Sequence, residues 1–324
     1  MIKVREVIKK FLRRLGYQLV RLPKQHADVS TDRQPAKTEK GIVGWADKIA
    51  QEPLNASLHL QYAVEAFKKN RPYLSFAELK TAEYLGADRK QIEAYNSTVL
   101  AKIPKIEEMN HNQYYRLLSL SSAIVNRGGS NNLSILDVGG GQGELASFIP
   151  EVSYCLAEPT VNGISGTNLP FKDQSFDYVV SCHVLEHIPP DSRELFMDQL
   201  LSKARRGVIL LNPFYVEGTH VEDRLALIIE VTGAGWAREH IECNLPRIET
   251  IRDYARQRGL KLYVEPNGTL TTSLAMVFID YFGTYVGIDE DHKKINRFFN
   301  LKCKSILDSG DYPTAYLIHL ARPE

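Results

Sequence analysis

Residues 135–146 read ILDVGGGQGELA, and the fold turns on how this stretch is interpreted. Leu133, Ile135, Leu136 and Val138 supply the apolar side chains of a buried strand, which runs directly into Gly139, Gly141 and Gly143. Glycines at that point let the backbone turn tightly and approach a ligand with no Cβ in the way. The residues that follow open a predicted helix, whose first N–H groups would be free to meet an anion. Spacing excludes two phosphate fingerprints. No Lys followed by Ser or Thr completes a P-loop, and Glu144 stands where a dinucleotide turn needs its third glycine. Asp137, at the strand end, suits a ligand carrying an amino group and would repel a pyrophosphate.

Outward from this turn, short apolar runs alternate with helical segments: 133–138, 153–157, 176–181, 207–212, 260–264 and 314–320. That alternation predicts an α/β domain built on a mainly parallel sheet. At 324 residues, with 44% hydrophobic and 24% charged residues, the chain has material for a sizeable core. A net charge of +1 gives no case for nucleic acid. Cys155, Cys182, Cys243 and Cys303 are widely spaced and form no C-x-x-C pair, which argues against a zinc knuckle and suits a reducing compartment. No metal site is assigned. With no apolar run of membrane-spanning length, the expectation is a cytoplasmic protein.

Upstream, residues 1–24 place Val4, Val7, Ile8, Phe11, Leu12 and Leu15 on one helical stripe, with eight basic residues and one acidic residue in the same segment. Such a helix can lie on an anionic membrane surface, peripheral to its cytoplasmic face, or dock on protein. Residues 25–44 are polar and aperiodic and read as a linker. Residues 45–128 read as helical, with breaks at Asn70-Arg71-Pro72 and Gly86-Ala87-Asp88 and a further helix around Ile106–Val125. The pair of helices there has a weak likeness to a tetratricopeptide repeat. One repeat cannot bury a solenoid core, so the favoured reading is a helical cap on the next domain, and the alternative is an interaction protein recruiting a partner.

The order D-x-G-x-G-x-G from Asp137 resembles the first motif of the class I S-adenosylmethionine-dependent methyltransferases of type 11. The likeness extends through EVSYCLAEPT and NLPFKDQSFDYVVSCHVLEHI. It implies a Rossmann-like, seven-stranded sheet over residues 129–324, interrupted by inserts at about 213–247 and 266–312, with S-adenosyl-L-methionine as cofactor. It further implies that Asp137, Gly139, Gly141 and Gly143 cradle the cofactor and that Glu158 takes the ribose hydroxyls. Asn168 and Leu169 then lie by the adenine, and Cys182 and His183 by the methionyl end. Where relatives carry an acidic residue before LPF, this chain has ISGTN, so adenine must be held by neutral groups. The opening residues also resemble those of methyltransferases and glycosyltransferases of bacterial surface-polysaccharide pathways. Together these imply O-methylation of a small polar molecule or a glycan intermediate.

A hydroxyl acceptor needs a group to take its proton, and histidine is suited to that near neutral pH. His183, His187 and His220 are the catalytic candidates, with His240 also near the expected rim. For His187 the scaffold-contact reading leads. The run Glu217, His220, Glu222, Asp223 reads as a polyol or metal site or as a solvated loop.

Overall fold

The computed structural model describes residues 43–128, 133–303 and 312–323. The basic helix expected over 1–24 and nearly all of the linker lie outside these residues. None of the helices among the described residues is long and apolar enough to cross a membrane.

Four helices come first: α1 (Val43–Gln51), α2 (Ala56–Lys68), α3 (Pro72–Tyr84) and α4 (Arg89–Leu100). Local chemistry sets their ends. Asn55 caps α2 by accepting from the amides of Ser57 and Leu58, and Asp88 caps α4 by accepting from Gln91. Pro72 sits in the first turn of α3, where its missing N–H costs nothing. Both breaks expected from the sequence fall between these helices, with Asn70 and Gly86 in the left-handed region. Helix α3 is buried through Leu74, Phe76, Ala77, Leu79 and Ala82, as an interior helix must be. The pair α2–α3 is therefore a cap, packed in the same core as the sheet. No stacked repeat array forms among the described residues.

Helix α5 (His111–Gly128) leads to a six-stranded sheet of β1 (Ser134–Val138), β2 (Ser153–Ala157), β3 (Phe176–Cys182), β4 (Ala204–Asn212), β5 (Lys261–Asn267) and β6 (Ala315–Ala321). Their spatial order is β2-β1-β3-β4-β6-β5. Neighbours among β1 to β4 pair in parallel, and β6 runs antiparallel between β4 and β5. Helices α6 (Arg193–Lys203) and α9 (Ile248–Gln257) complete the α/β layers. All six apolar runs read from the sequence are strands.

Two expectations are corrected. The sheet has six strands among the described residues, not seven. Its β2 edge is covered by α3 instead of a further strand: the outward amide of Leu156 donates to Thr81 Oγ1 at 3.0 Å. The helix expected after the glycines is only a 3₁₀ turn, Glu144–Phe148, cut short before Pro150. Helix α3 packs against this turn, so closely that a Cβ on Gly143 would overlap the Ala77 methyl.

The inserts form α7 (Val221–Thr232), α8 (Gly235–Cys243), α10 (Leu270–Val286) and α11 (Asp289–Lys302). Leu225, Ile228, Ala234 and Ala237 build a small second core, against which Leu274, Val277 and Phe278 of α10 pack.

Candidate active site

The site gathers at the C-terminal ends of β1, β2 and β3. Gly139, Gly141 and Gly143 have φ of 78°, 59° and 75°, a conformation that other residues adopt only under strain. Gly139 donates its amide to Ala157 O at 2.8 Å, and Val184 fills the space a Cβ there would need. Bare backbone at the turn is thus demanded by its neighbours as well as by a ligand.

Asp137 is 1% exposed, accepts from the Tyr154 hydroxyl at 2.7 Å through Oδ2, and leaves Oδ1 buried without a hydrogen-bond partner. Burial pushes its carboxyl up, and Glu144 and Glu158 add to this; Tyr154 offsets only part, leaving a pKa of about 7. Glu158 ends β2 and accepts from Gly141 N at 3.1 Å, tying the strand end to the turn. Its other oxygen accepts from the amide and hydroxyl of Thr160.

Behind Glu158 lies a buried relay that no local sequence signal marks. Asn162 accepts from the Glu158 amide and donates to Glu78 Oε1 at 3.0 Å, and Glu78 Oε2 meets His59 Nδ1 at 2.6 Å. Glu78 and His59 are fully buried on α3 and α2. The cap thereby braces the strand end that carries Glu158.

The segment before LPF also reaches this end of the sheet. A Cβ on Gly166 would fall 2.8 Å from Val138 Cγ1 at the end of β1. Ser165 and Thr167 pair through their hydroxyls at 2.9 Å. Leu169 is buried, its amide donating to Gln199, whereas Asn168 is exposed.

Past β3 the chain is strained at His183, with φ of +57°. Its amide donates to Leu211 O at 2.8 Å, and its Nδ1 faces Glu186 Oε1 at 3.1 Å. Burial, then the nearby Arg116, pulls the His183 pKa down and keeps the ring neutral. Cys182, partly buried, has its thiol pushed up to about 12 by its apolar surroundings and stays protonated. Glu186 is fully buried; burial alone would raise its pKa, but the histidines around it hold it well below the usual carboxylate range.

His187 and His240 complete this cluster. His187 Nδ1 lies 2.7 Å from Glu239, and its Nε2 lies 3.4 Å from His240 Nε2. Burial lowers His240 to about 4. Trp236 stands edge-on to the His240 ring. Ligand atoms of Glu186, His187 and His240 lie within 4.8 Å of one another. Sequence reading had both histidines but not Glu186, which is hidden inside VLEHI with no spacing signal. His220 is elsewhere: its side chain is 79% exposed at the start of α7, with Asp223 at 3.6 Å.

His183 also lines a cleft between the sheet and the insert, with Asn112, Tyr115 and Arg116 of α5 and Thr272 and Ser273 of α10. Its walls are mostly polar side chains.

Residues 107–265 match the family model described as a methyltransferase domain. This segment is a methyltransferase domain. S-adenosylmethionine is the methyl donor that the glycine motif from Asp137 implies. The glycine cradle, the buried unpaired Asp137 oxygen and the strand-end carboxylate of Glu158 fit that group, which carries an amino end and a ribose. No curated protein matches the chain. Among solved structures it is similar to the Haemonchus contortus phosphoethanolamine N-methyltransferase 2 bound to phosphomonomethylethanolamine and S-adenosylhomocysteine, at 16% identity and a TM-score of 0.41. That match covers 64% of this chain and 53%, about half, of the Haemonchus chain. The magnesium protoporphyrin IX methyltransferase of Synechocystis with S-adenosylhomocysteine is similar at 16% identity and a TM-score of 0.41, over 73% of this chain and 100% of that one. A methyltransferase from an antibiotic biosynthesis pathway of Anabaena variabilis follows at 14% identity and 0.41, over 64% and 98%. Those acceptors belong to those proteins.

Proposed function

We propose that this methyltransferase domain methylates an oxygen of a small polar molecule or of a glycan intermediate. One observation carries the reading: His183, just past β3, lines a cleft of mostly polar residues, with Nδ1 3.1 Å from the buried carboxylate of Glu186. The negative charge of that carboxylate favours the tautomer with its proton on Nδ1, which leaves Nε2 to take a proton from an acceptor hydroxyl. The donor, when bound, supplies a methyl group on a positively charged sulfur. What remains for the chain is to align the acceptor and keep water out. Hydroxyl, amide and guanidinium groups of the cleft suit an acceptor rich in oxygens, and Arg116 suits one bearing a negative charge. The basic residues of 1–24 support work at the cytoplasmic face of an anionic membrane.

Calorimetry with S-adenosylhomocysteine, paired with mass spectrometry of an acceptor pool incubated with labelled donor, tests this. Glu158→Ala is expected to weaken nucleoside binding by roughly a hundredfold, the loss of two charge-assisted hydrogen bonds. His183→Ala is expected to keep nucleoside binding and lose about 10²–10⁴-fold in turnover. His220→Ala should change neither. Full turnover in His183→Ala would sink the assignment of the proton acceptor.

A further inference from the structure

We propose that Glu186, His187 and His240 bind one divalent transition-metal ion of the zinc class. The three ligand atoms come from the 3₁₀ turn after β3 and from α8 of the first insert, and they lie within 4.8 Å of one another. His240 Nε2 is 3.4 Å from His187 Nε2 and 3.8 Å from Glu186 Oε1. An ion bonded at about 2.0–2.2 Å in a tetrahedral site holds its ligand atoms roughly 3.3–3.6 Å apart. Two sides of the triangle are thus near the required length, and a small rotation of a side chain closes the third.

Three further observations point at an ion. Glu186 is fully buried, and its Oε1 has no hydrogen bond; His183 Nδ1 stands 3.1 Å away without meeting it as one. A buried carboxylate oxygen left in that state is costly unless a cation takes it. Its other oxygen is already occupied, accepting from Asn212 Nδ2 at 2.5 Å, so the orphaned atom is the one turned to the histidines. His187 carries the outer partner a metal-binding histidine needs: Glu239, 2.7 Å from Nδ1, fixes the proton there and leaves Nε2 bare.

The framework around the cluster is fixed as well. Arg193 donates to Ile188 O at 2.9 Å and to Cys243 O at 2.8 Å, clamping the chain beside His187 to the end of the helix that bears His240. The His187 side chain is 31% exposed, which gives an ion a way in. Two imidazoles and one carboxylate select zinc, cobalt or nickel over magnesium or calcium, and three protein ligands leave a position open. An ion held here would sit one side chain away from the methyl-transfer cleft, because His183 lines that cleft and faces Glu186.

The full chain, stripped with a chelator and titrated with Co²⁺ and then Zn²⁺, tests the proposal by visible absorption and by metal content. The expected result is one ion per chain, with cobalt bands in the intensity range of a four- or five-coordinate site and their loss on adding Zn²⁺. His187→Ala and His240→Ala should each abolish stoichiometric binding, and Glu239→Gln should weaken it about 10–100-fold. His220→Ala should leave it unchanged. Thermal melting and S-adenosylhomocysteine binding show whether His240→Ala, which opens a buried site, still folds; His187, half-buried, gives the second variant. Absence of stoichiometric Co²⁺ binding to the wild-type chain, or an unchanged cobalt spectrum in folded His187→Ala, overturns the proposal. Neither readout depends on methyl transfer, so the site stands or falls apart from the acceptor reading.

Discussion

The two halves of the candidate active site, one proposed for the donor and one for the acceptor, are made in different ways. The donor half is one continuous stretch, Asp137 to Gly143, joined to Glu158 seventeen residues beyond Gly141. It is held against a buried helix whose own polar groups reach the end of β2. The side proposed for the acceptor is assembled from pieces far apart in sequence: Asn112 and Arg116 of α5, His183 after β3, and Thr272 and Ser273 in the second insert. A nucleoside common to many reactions needs a fixed seat, and continuity with the central strands supplies one. An acceptor particular to one reaction is served by insertions, which can change without disturbing the sheet.

The sharpest way to break this contrast is the pH dependence of the donor half. Asp137 has a pKa near 7 in the folded chain, against about 3.9 when unfolded. A carboxyl raised in this way stabilises the fold fully below its unfolded pKa, and that contribution is lost as pH rises to about 7, after which it stays lost. The full span is worth about 4 kcal/mol. Urea unfolding of wild type and Asp137→Asn, compared from about pH 5 to about pH 8, should show wild type losing about 3 kcal/mol relative to the variant. Parallel pH curves would mean that Asp137 is not buried as the packing has it.

Next in size is a pair of glycines. Gly143 and Gly218 both have left-handed backbones, with φ of 75° and 79°. Gly218, in the first insert, has open space where a Cβ would go, whereas Gly143 is pressed against Ala77 of α3. Gly218→Ala should cost about 1 kcal/mol, the conformational penalty alone. Gly143→Ala adds overpacking and should cost roughly 2–5 kcal/mol. Equal costs, measured by thermal melting with and without S-adenosylhomocysteine, would show that the helical cap does not brace the turn.

This contrast also explains what could be read from the sequence. The strands were legible as short apolar runs set between helical segments, and the helix breaks were legible because Pro72, Asp88 and Gly86 act locally. The residues proposed to hold the donor share one stretch and one spacing, apart from Glu158. The sheet edge was not legible: nothing local in α3 says that it replaces a seventh strand or that it crowds the glycine turn. Nor did proximity in sequence bring together Glu186 and His240, which meet only because α8 packs against the 3₁₀ turn after β3. His183 and His220 are both candidates in the sequence, with His183 the better placed, and in the fold His183 is partly buried beside Glu186 whereas His220 is exposed.

The smallest expected effect tests the sheet edge itself. Thr81 Oγ1 accepts from Leu156 N, on the outer side of β2, and donates to Ala77 O within α3. Valine at this position keeps the shape of the side chain and removes the oxygen. The strand amide would then be buried with no acceptor, because its inner neighbour β1 cannot reach the outer side of β2. Leaving one buried amide unpaired costs about 1–3 kcal/mol, and no other contact need change. Thr81→Val should therefore lower the unfolding free energy by that amount, while Thr81→Ser, which keeps the hydroxyl, should lose less. Hydrogen exchange at Leu156 gives the local reading: faster exchange in Thr81→Val than in Thr81→Ser marks the bond as the closure of the edge. If both variants exchange alike, β2 is protected by burial under α3 alone, and the helix covers the sheet without pairing to it.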